Sequence, residues 1–211
     1  MILALAGQKG GSGKTTTALA IADEWHRRGK RVLVVDLDPQ GTARTWHRVA
    51  GENNIAGPTV IAMGTNFHRE LEPFREAYDH IVLDCPPKEA EAQKRALMIS
   101  DLVIIPCGPG TTDLWSMKAT LDLAADAVEF RPTLQVAILI TKRDVRTIQS
   151  GDVAASLRAT NFPVFETELR NRVEYQEFPA SGLGVTRYNP AGKAAAEIKS
   201  LVKELEKNYG N

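Results

Sequence analysis

At 211 residues, with 43% hydrophobic and 25% charged side chains, the chain suits one α/β domain able to bury a substantial core. Formal net charge is zero and argues neither for nor against nucleic acid; residues 1–130 carry 14 basic and 17 acidic side chains, residues 131–211 carry 12 and 9, a mild basic bias toward the C-terminal part. Two cysteines without a C-x-x-C exclude a disulfide framework and fit reduced thiols in a cytoplasmic protein, and no run approaches the roughly 20 apolar residues of a membrane span.

The chain opens on an apolar run at residues 2–6, read as a core strand and not as a signal peptide. Lys9-Gly10-Gly11-Ser12-Gly13-Lys14-Thr15-Thr16 follows, and residues 16–28 then have helical periodicity. Strand, glycine-rich loop and helix are the context of a phosphate loop. Glycines let backbone N–H groups turn inward around an anion at a positive helix N-terminus. Lys14 is placed to reach the β- and γ-phosphates and Thr15 to ligate Mg²⁺. The strict pattern G-x-x-x-x-G-K-[ST] is broken because Gln8 stands at the first glycine, while Lys9 adds a cation at the loop's entrance.

Residues 32–35 read as a buried strand running into Asp36-Leu37-Asp38-Pro39-Gln40-Gly41, acidic groups at a strand's carboxyl end, where open α/β sheets bind ligands. Next come a short helix at 42–50, a strand at 59–63 and a helix at 67–78. Ile81-Val82-Leu83-Asp84-Cys85-Pro86-Pro87 has the form of a Walker B strand. A helix at 89–100, a strand at 102–106, a helix at 112–128 and a strand at 134–140 continue the alternation. The remainder reads as a helix at 148–159, a short strand at 164–165, mainly loop at 179–188 and a long helix at 190–209. Strand–helix alternation predicts a single-domain, mostly parallel twisted sheet, joined by right-handed crossovers and flanked by helices on both faces.

Asp84 at the end of a buried strand suits Mg²⁺, held directly or through water. Asp36 and Asp38 lie two apart, and Asp38, further out, is the one expected to orient an attacking water beside the metal. Lys9 has no task within one subunit, because Lys14 already serves the phosphates; a charge supplied across an interface would use it. Cys85 and Cys107 are expected in the core, and His26, His47, His68 and His80, lacking metal-ligand spacing, at the surface.

K-G-G-S-G-K-T-T, D-L-D-P-Q-G and I-V-L-D-C-P-P, in this order and at these separations, closely resemble the ParA/MinD group of deviant Walker A ATPases, and within it the small ParA, ParF-like proteins. The resemblance implies a P-loop fold without an N-terminal helix-turn-helix domain. It implies that Lys9 reaches the nucleotide of a partner subunit in an ATP-sandwich homodimer, that Asp38 serves hydrolysis, and that Asp84 is the Walker B aspartate. Thr141 and Lys142 match a segment near the adenine, although Lys142 is not the asparagine often found there. Such ATPases use ATP and Mg²⁺, bind nucleoid DNA without sequence preference, and release it after hydrolysis stimulated by a ParB- or ParG-like centromere-binding partner. By the same resemblance, DNA contacts would come from Arg170 and Lys193; Lys199, Lys203 and Lys207 add a basic stripe four residues apart. Two relatives within the group stay open: an ATPase placing a protein cargo such as chemotaxis clusters or carboxysomes, and a membrane-associated MinD-like one. The latter needs an amphipathic C-terminal helix beyond the domain, so no membrane partner is expected.

Overall fold

The computed structural model describes residues 1–144 and 148–210, with the backbone alone for residues 148–152. Runs of branched apolar side chains form strands buried on both faces, as a sheet covered by two helical layers requires. They are β1 (Ile2–Leu5), β2 (Val32–Asp36), β3 (Thr59–Ala62), β4 (His80–Asp84), β5 (Leu102–Cys107) and β6 (Gln135–Ile140). Among the described residues they make one sheet in the order β3-β2-β4-β1-β5-β6, and every pairing is parallel. The helices are α1 (Lys14–Arg27), α2 (Thr42–Glu52), α3 (Phe67–Glu70), α4 (Ala90–Ile99), α5 (Thr111–Phe130), α6 (Ile148–Arg158), α7 (Glu174–Ser181), α8 (Val185–Tyr188) and α9 (Lys193–Tyr209).

The period-2 geometry of the strands divides the core. Leu3, Leu5, Val34, Val82 and Ile104 face α1, α2, α7, α8 and α9. Ala4, Val35, Leu83, Ile105 and Ile138 face α3, α4, α5 and α6. Crossovers stepping toward β3 carry α1 and α2 on the first face; those stepping back toward β6 carry α3, α4 and α5 on the second. A single crossover handedness imposes that division. α9 closes the first face by burying Ala194, Ile198, Leu201, Val202 and Leu205, as its spacing predicts.

Four local expectations are corrected. The helix expected at 67–78 stops at Glu70 and gives way to a 3-10 turn, Glu72–Phe74, because Pro73 has no N–H to continue the ladder. Residues 164–165 make no sheet strand: Val164 forms only an isolated parallel bridge to Ile138. The stretch expected as loop at 179–188 is largely helical, in α7 and α8, with Pro179 tolerated inside α7. The last helix starts at Lys193, three residues later than expected, after Gly192.

Residues 163–171 run along the outer edge of β6 in irregular form. Ile138 donates to Pro163 O and Phe165 to Ile138 O; Leu169 donates to Ile140 O, Arg143 to Leu169 O and Asn171 to Arg143 O.

Candidate functional site

Strand register gathers the acidic groups. β4 lies between β1 and β2, so Asp84 pairs with Leu5 on one side and Asp36 on the other, at the carboxyl edge where the chain leaves β1 for the glycine-rich loop. Gly11 (φ 74°) and Gly13 (φ 97°) adopt left-handed backbone, which other residues enter only at a cost. Gly13 also packs against Thr141: a Cβ there would lie 3.8 Å from the Thr141 side chain.

Side chains hold three of the loop's carbonyls. Lys14 Nζ donates to Lys9 O at 3.0 Å, Thr141 Oγ1 to Ser12 O at 2.8 Å and Lys142 Nζ to Gly11 O at 2.5 Å. Thr141 therefore braces the loop from beneath. Ser12 is buried, and its hydroxyl has no partner among the described residues.

A cleft above the loop is lined by Gly10, Gly11, residues 13–16, Asp38, Pro87 and Lys142. Lys14 is buried there; burial lowers its pKa, against the pull of Asp84, Cys85 and Asp38. Asp84 is 1% exposed, and neither carboxylate oxygen makes a hydrogen bond of acceptable geometry among the described residues. Burial pushes its carboxyl up to about 7, opposed by the nearby Thr15 hydroxyl and by Lys14. An orphaned buried carboxylate beside a hydroxyl and an anion cradle fits a divalent cation. No group of three His, Cys, Asp or Glu able to hold a metal occurs among the described residues. The donors therefore suit a hard ion that keeps its waters and shares phosphate oxygens, as Mg²⁺ does.

The two aspartates at the end of β2, Asp36 within it and Asp38 beyond it, divide as their spacing suggests. Asp36 is buried and structural: it accepts from the amides of Asp38 and Arg44, both at 3.1 Å, with Arg44 Nε 3.4 Å from Oδ2. Asp38 faces the cleft and closes a small turn by accepting from Gln40 N at 2.9 Å.

Lys9 does not line this cleft. Its ammonium lies 2.6 Å from Asp113 Oδ1 and donates to Thr112 Oγ1 at 3.3 Å, at the start of α5. Nothing in the sequence signalled these partners, because they lie more than a hundred residues away.

A second cleft adjoins the first through Gly13, Thr16 and Lys142 and is walled by residues 169–172, Tyr175 and Gln176. Arg170, expected on a DNA-contacting surface, belongs to this wall. Lys193, Lys203 and Lys207 do lie exposed along α9, and Lys199, half-buried, donates to Pro190 O at 3.2 Å. The interleaved acids are engaged elsewhere. Glu197 pairs with Arg172, Glu206 with Arg28, and Glu204 accepts from the amides of Glu166 and Thr167. Of the histidines only His47 is fully exposed; His80 stacks on buried Trp25, ring centroids 4.1 Å apart. Both cysteines are buried, as expected.

A sequence model of the CobQ/CobB/MinD/ParA nucleotide binding domain matches residues 3–206. The maintenance of carboxysome distribution protein A of Halothiobacillus neapolitanus is 31% identical over 206 residues, covering 96% of this chain and 95% of that protein. The chromosome-partitioning ATPase Soj of Thermus thermophilus is 31% identical over 237 residues, covering 96% and 94%. In fold, the chain is similar to cobyrinic acid a,c-diamide synthase from Mycobacterium smegmatis, solved with bound ATP analog and magnesium. The TM-score is 0.78, at 22% identity, over 100% of this chain and 96% of that one.

Proposed function

Because this chain belongs to the CobQ/CobB/MinD/ParA nucleotide-binding family, we propose that it is a ParA-type ATPase that dimerises with ATP, binds nucleoid DNA without sequence preference and segregates plasmid or chromosomal DNA with a centromere-binding partner. The observation that carries this reading is the convergence of Lys14, Thr15 and Asp38 on one cleft, with orphaned Asp84 buried beneath it.

The loop's inward N–H groups bind the phosphates, and Lys14 exchanges the Lys9 carbonyl for the β- and γ-phosphates. Thr15 and Asp84 hold Mg²⁺, Asp84 directly or through water. Mg²⁺, when bound, neutralises charge on the phosphate oxygens. Asp38, free of the Arg44 contact that occupies Asp36, orients the attacking water. Asp84, between Leu5 and Asp36 in the sheet, is too enclosed for that task. Lys9 acts in the partner subunit's site after leaving Asp113, so turnover by an isolated chain is weak and is raised by the partner protein. The second cleft, continuous with the first, takes the base; Thr141 lines it and also braces the loop through Ser12 O.

A second reading, an ATPase that distributes a protein cargo over the nucleoid, is supported by the 31% identity to the carboxysome distribution protein. The same cycle serves both, and the partner decides between them. Among the described residues no helix is long and apolar enough to cross a membrane.

The test is gel filtration and random-duplex retention with ATP and with ADP. ATP is expected to give a dimer that retains DNA at low salt; Lys14→Ala is expected to lose nucleotide binding and both effects. ATP binding without DNA retention at low salt overturns the nucleoid reading, and a Lys14→Ala protein that binds ATP normally overturns the loop assignment.

A further inference from the structure

Three carbonyls of the glycine-rich loop are held by side chains, and the Gly11 carbonyl is held by Lys142. We infer that Lys142 is a positioning residue for nucleotide binding: its ammonium keeps the loop curled, N–H groups inward, before any nucleotide arrives. The inference rests on the proposal that this loop binds ATP and departs from the adenine contact that the family resemblance suggested for this position.

Three observations converge. Lys142 adopts left-handed backbone (φ 53°), an uncommon conformation for a long side chain, and it follows Thr141, whose hydroxyl is fixed on Ser12 O. That backbone turn carries the Lys142 stem away from β6 and back over the loop, 131 residues earlier in the chain. Its contact is also the one that depends on charge at the loop's crest. Lys14 must leave the Lys9 carbonyl to meet phosphate, so of the two ammonium contacts to the loop Lys142's is the one that can persist in both states. The carbonyl it grips belongs to Gly11, a residue whose φ of 74° gives the loop its curl. Finally, Lys142 lines both the phosphate cleft and the adjoining one, so its position fixes where they join.

A loop held in its binding conformation loses less freedom on binding, and that saving shows as affinity and not as a faster chemical step. Lys142→Met keeps the stem and removes the ammonium. The variant is expected to bind a fluorescent ATP analogue roughly tenfold more weakly, the scale of one charge-assisted hydrogen bond. Its kcat at saturating ATP is expected to stay within about twofold of wild type, as lost preorganisation implies. Hydrogen exchange of amides 10–13 is expected to speed up in the nucleotide-free variant and to match wild type once ATP saturates. Lys142→Arg, which keeps a cation within reach, is expected to recover most of the affinity.

Unchanged affinity and exchange in Lys142→Met overturn the inference. A fall in kcat at unchanged affinity also overturns it, by placing Lys142 in the chemical step, and an Arg variant as weak as the Met variant removes the assignment to charge. Wild-type protein that binds no ATP would instead defeat the parent reading, so the two failures are distinguishable.

Discussion

At the scale of single residues, Asp38 and Asp36 illustrate how two carboxylates two positions apart acquire separate work. Asp36 accepts from the amides of Asp38 and Arg44, so it organises the turn, whereas Asp38 lines the cleft. Asp38→Ala is therefore expected to retain ATP-dependent dimerisation and lose turnover by at least about a hundredfold, the lower end of what a positioned base contributes. Hydrolysis at the wild-type rate, measured by phosphate release, would remove Asp38 from the proposed mechanism. His80 carries a second residue-scale expectation. Burial, then the chain's N-terminal ammonium and Lys30, lowers its pKa from 6.5 to about 4, so the folded state keeps it neutral where the unfolded chain takes a proton. Its contribution is complete above pH 6.5 and is lost as pH falls from there toward 4. Glu24 acts lower: burial would raise its carboxyl, but hydrogen bonds from Arg27 and Arg28 outweigh that and hold it at about 2. Its stability is present above its ordinary 4.5 and is lost as pH falls through 2. Because the raised Asp84 carboxyl acts in the opposite sense between pH 7 and 4, the check is a comparison: the wild-type urea midpoint should fall relative to that of His80→Phe as pH drops from 6.5 to 4, and a constant difference across that window contradicts the His80 assignment.

At the scale of elements, Gly182 sets how closely α7 approaches α2. Its φ is 73°, and a Cβ there would lie 2.5 Å from the Ala50 backbone nitrogen, an atom that cannot turn aside as a flexible side chain can. Gly182→Ala combines left-handed strain with overpacking, so a loss of about 3 kcal/mol is expected, read by urea denaturation; a change below about 0.5 kcal/mol, the size of an ordinary surface substitution, would refute the close packing. The same elements show what sequence could disclose. Strands such as Val32–Asp36 and helices such as α9 were legible because buried branched runs and 3.6-residue periodicity report burial directly. Glycine-rich loop and aspartates were legible because their chemistry is local. α7 and α8 were not: they are short, carry Pro179 and bury few side chains, so tertiary packing against α2 and α9 decides them, and periodicity does not. Pro73 is a local signal for the break in the helix predicted at 67–78, since its missing N–H is written in the sequence itself. The partners of Lys9 and the Lys142–Gly11 bond depend on sheet order, which places α5 and the end of β6 beside a loop over a hundred residues earlier.

At the scale of the whole molecule, zero net charge conceals an uneven surface. Glu197, Glu204 and Glu206 are spent on Arg172, backbone amides and Arg28, which leaves Lys193, Lys203 and Lys207 exposed along α9 with no ion pair to an acid among the described residues. Two such helices in a dimer would double the stripe. Lys203→Glu with Lys207→Glu is expected to weaken random-duplex binding at least tenfold and to flatten the log–log salt dependence by roughly 0.9 for each phosphate left without its lysine. Unaltered retention in that double variant would move the DNA surface elsewhere.

The irregular segment 163–171 has a consequence for the molecule's solubility. By occupying the backbone groups of β6 it leaves β3, only four residues long, as the sheet's sole unguarded margin among the described residues. A long open margin invites a neighbouring chain to add itself as a strand, and a four-residue one offers little purchase. The guard strip is also the stretch that delivers Arg170, Asn171 and Arg172 to the second cleft. The guard of the sheet's edge and the wall of the proposed base site thus share one piece of chain, and any change that peels it from β6 should unmask an adhesive border and dismantle that wall in the same event.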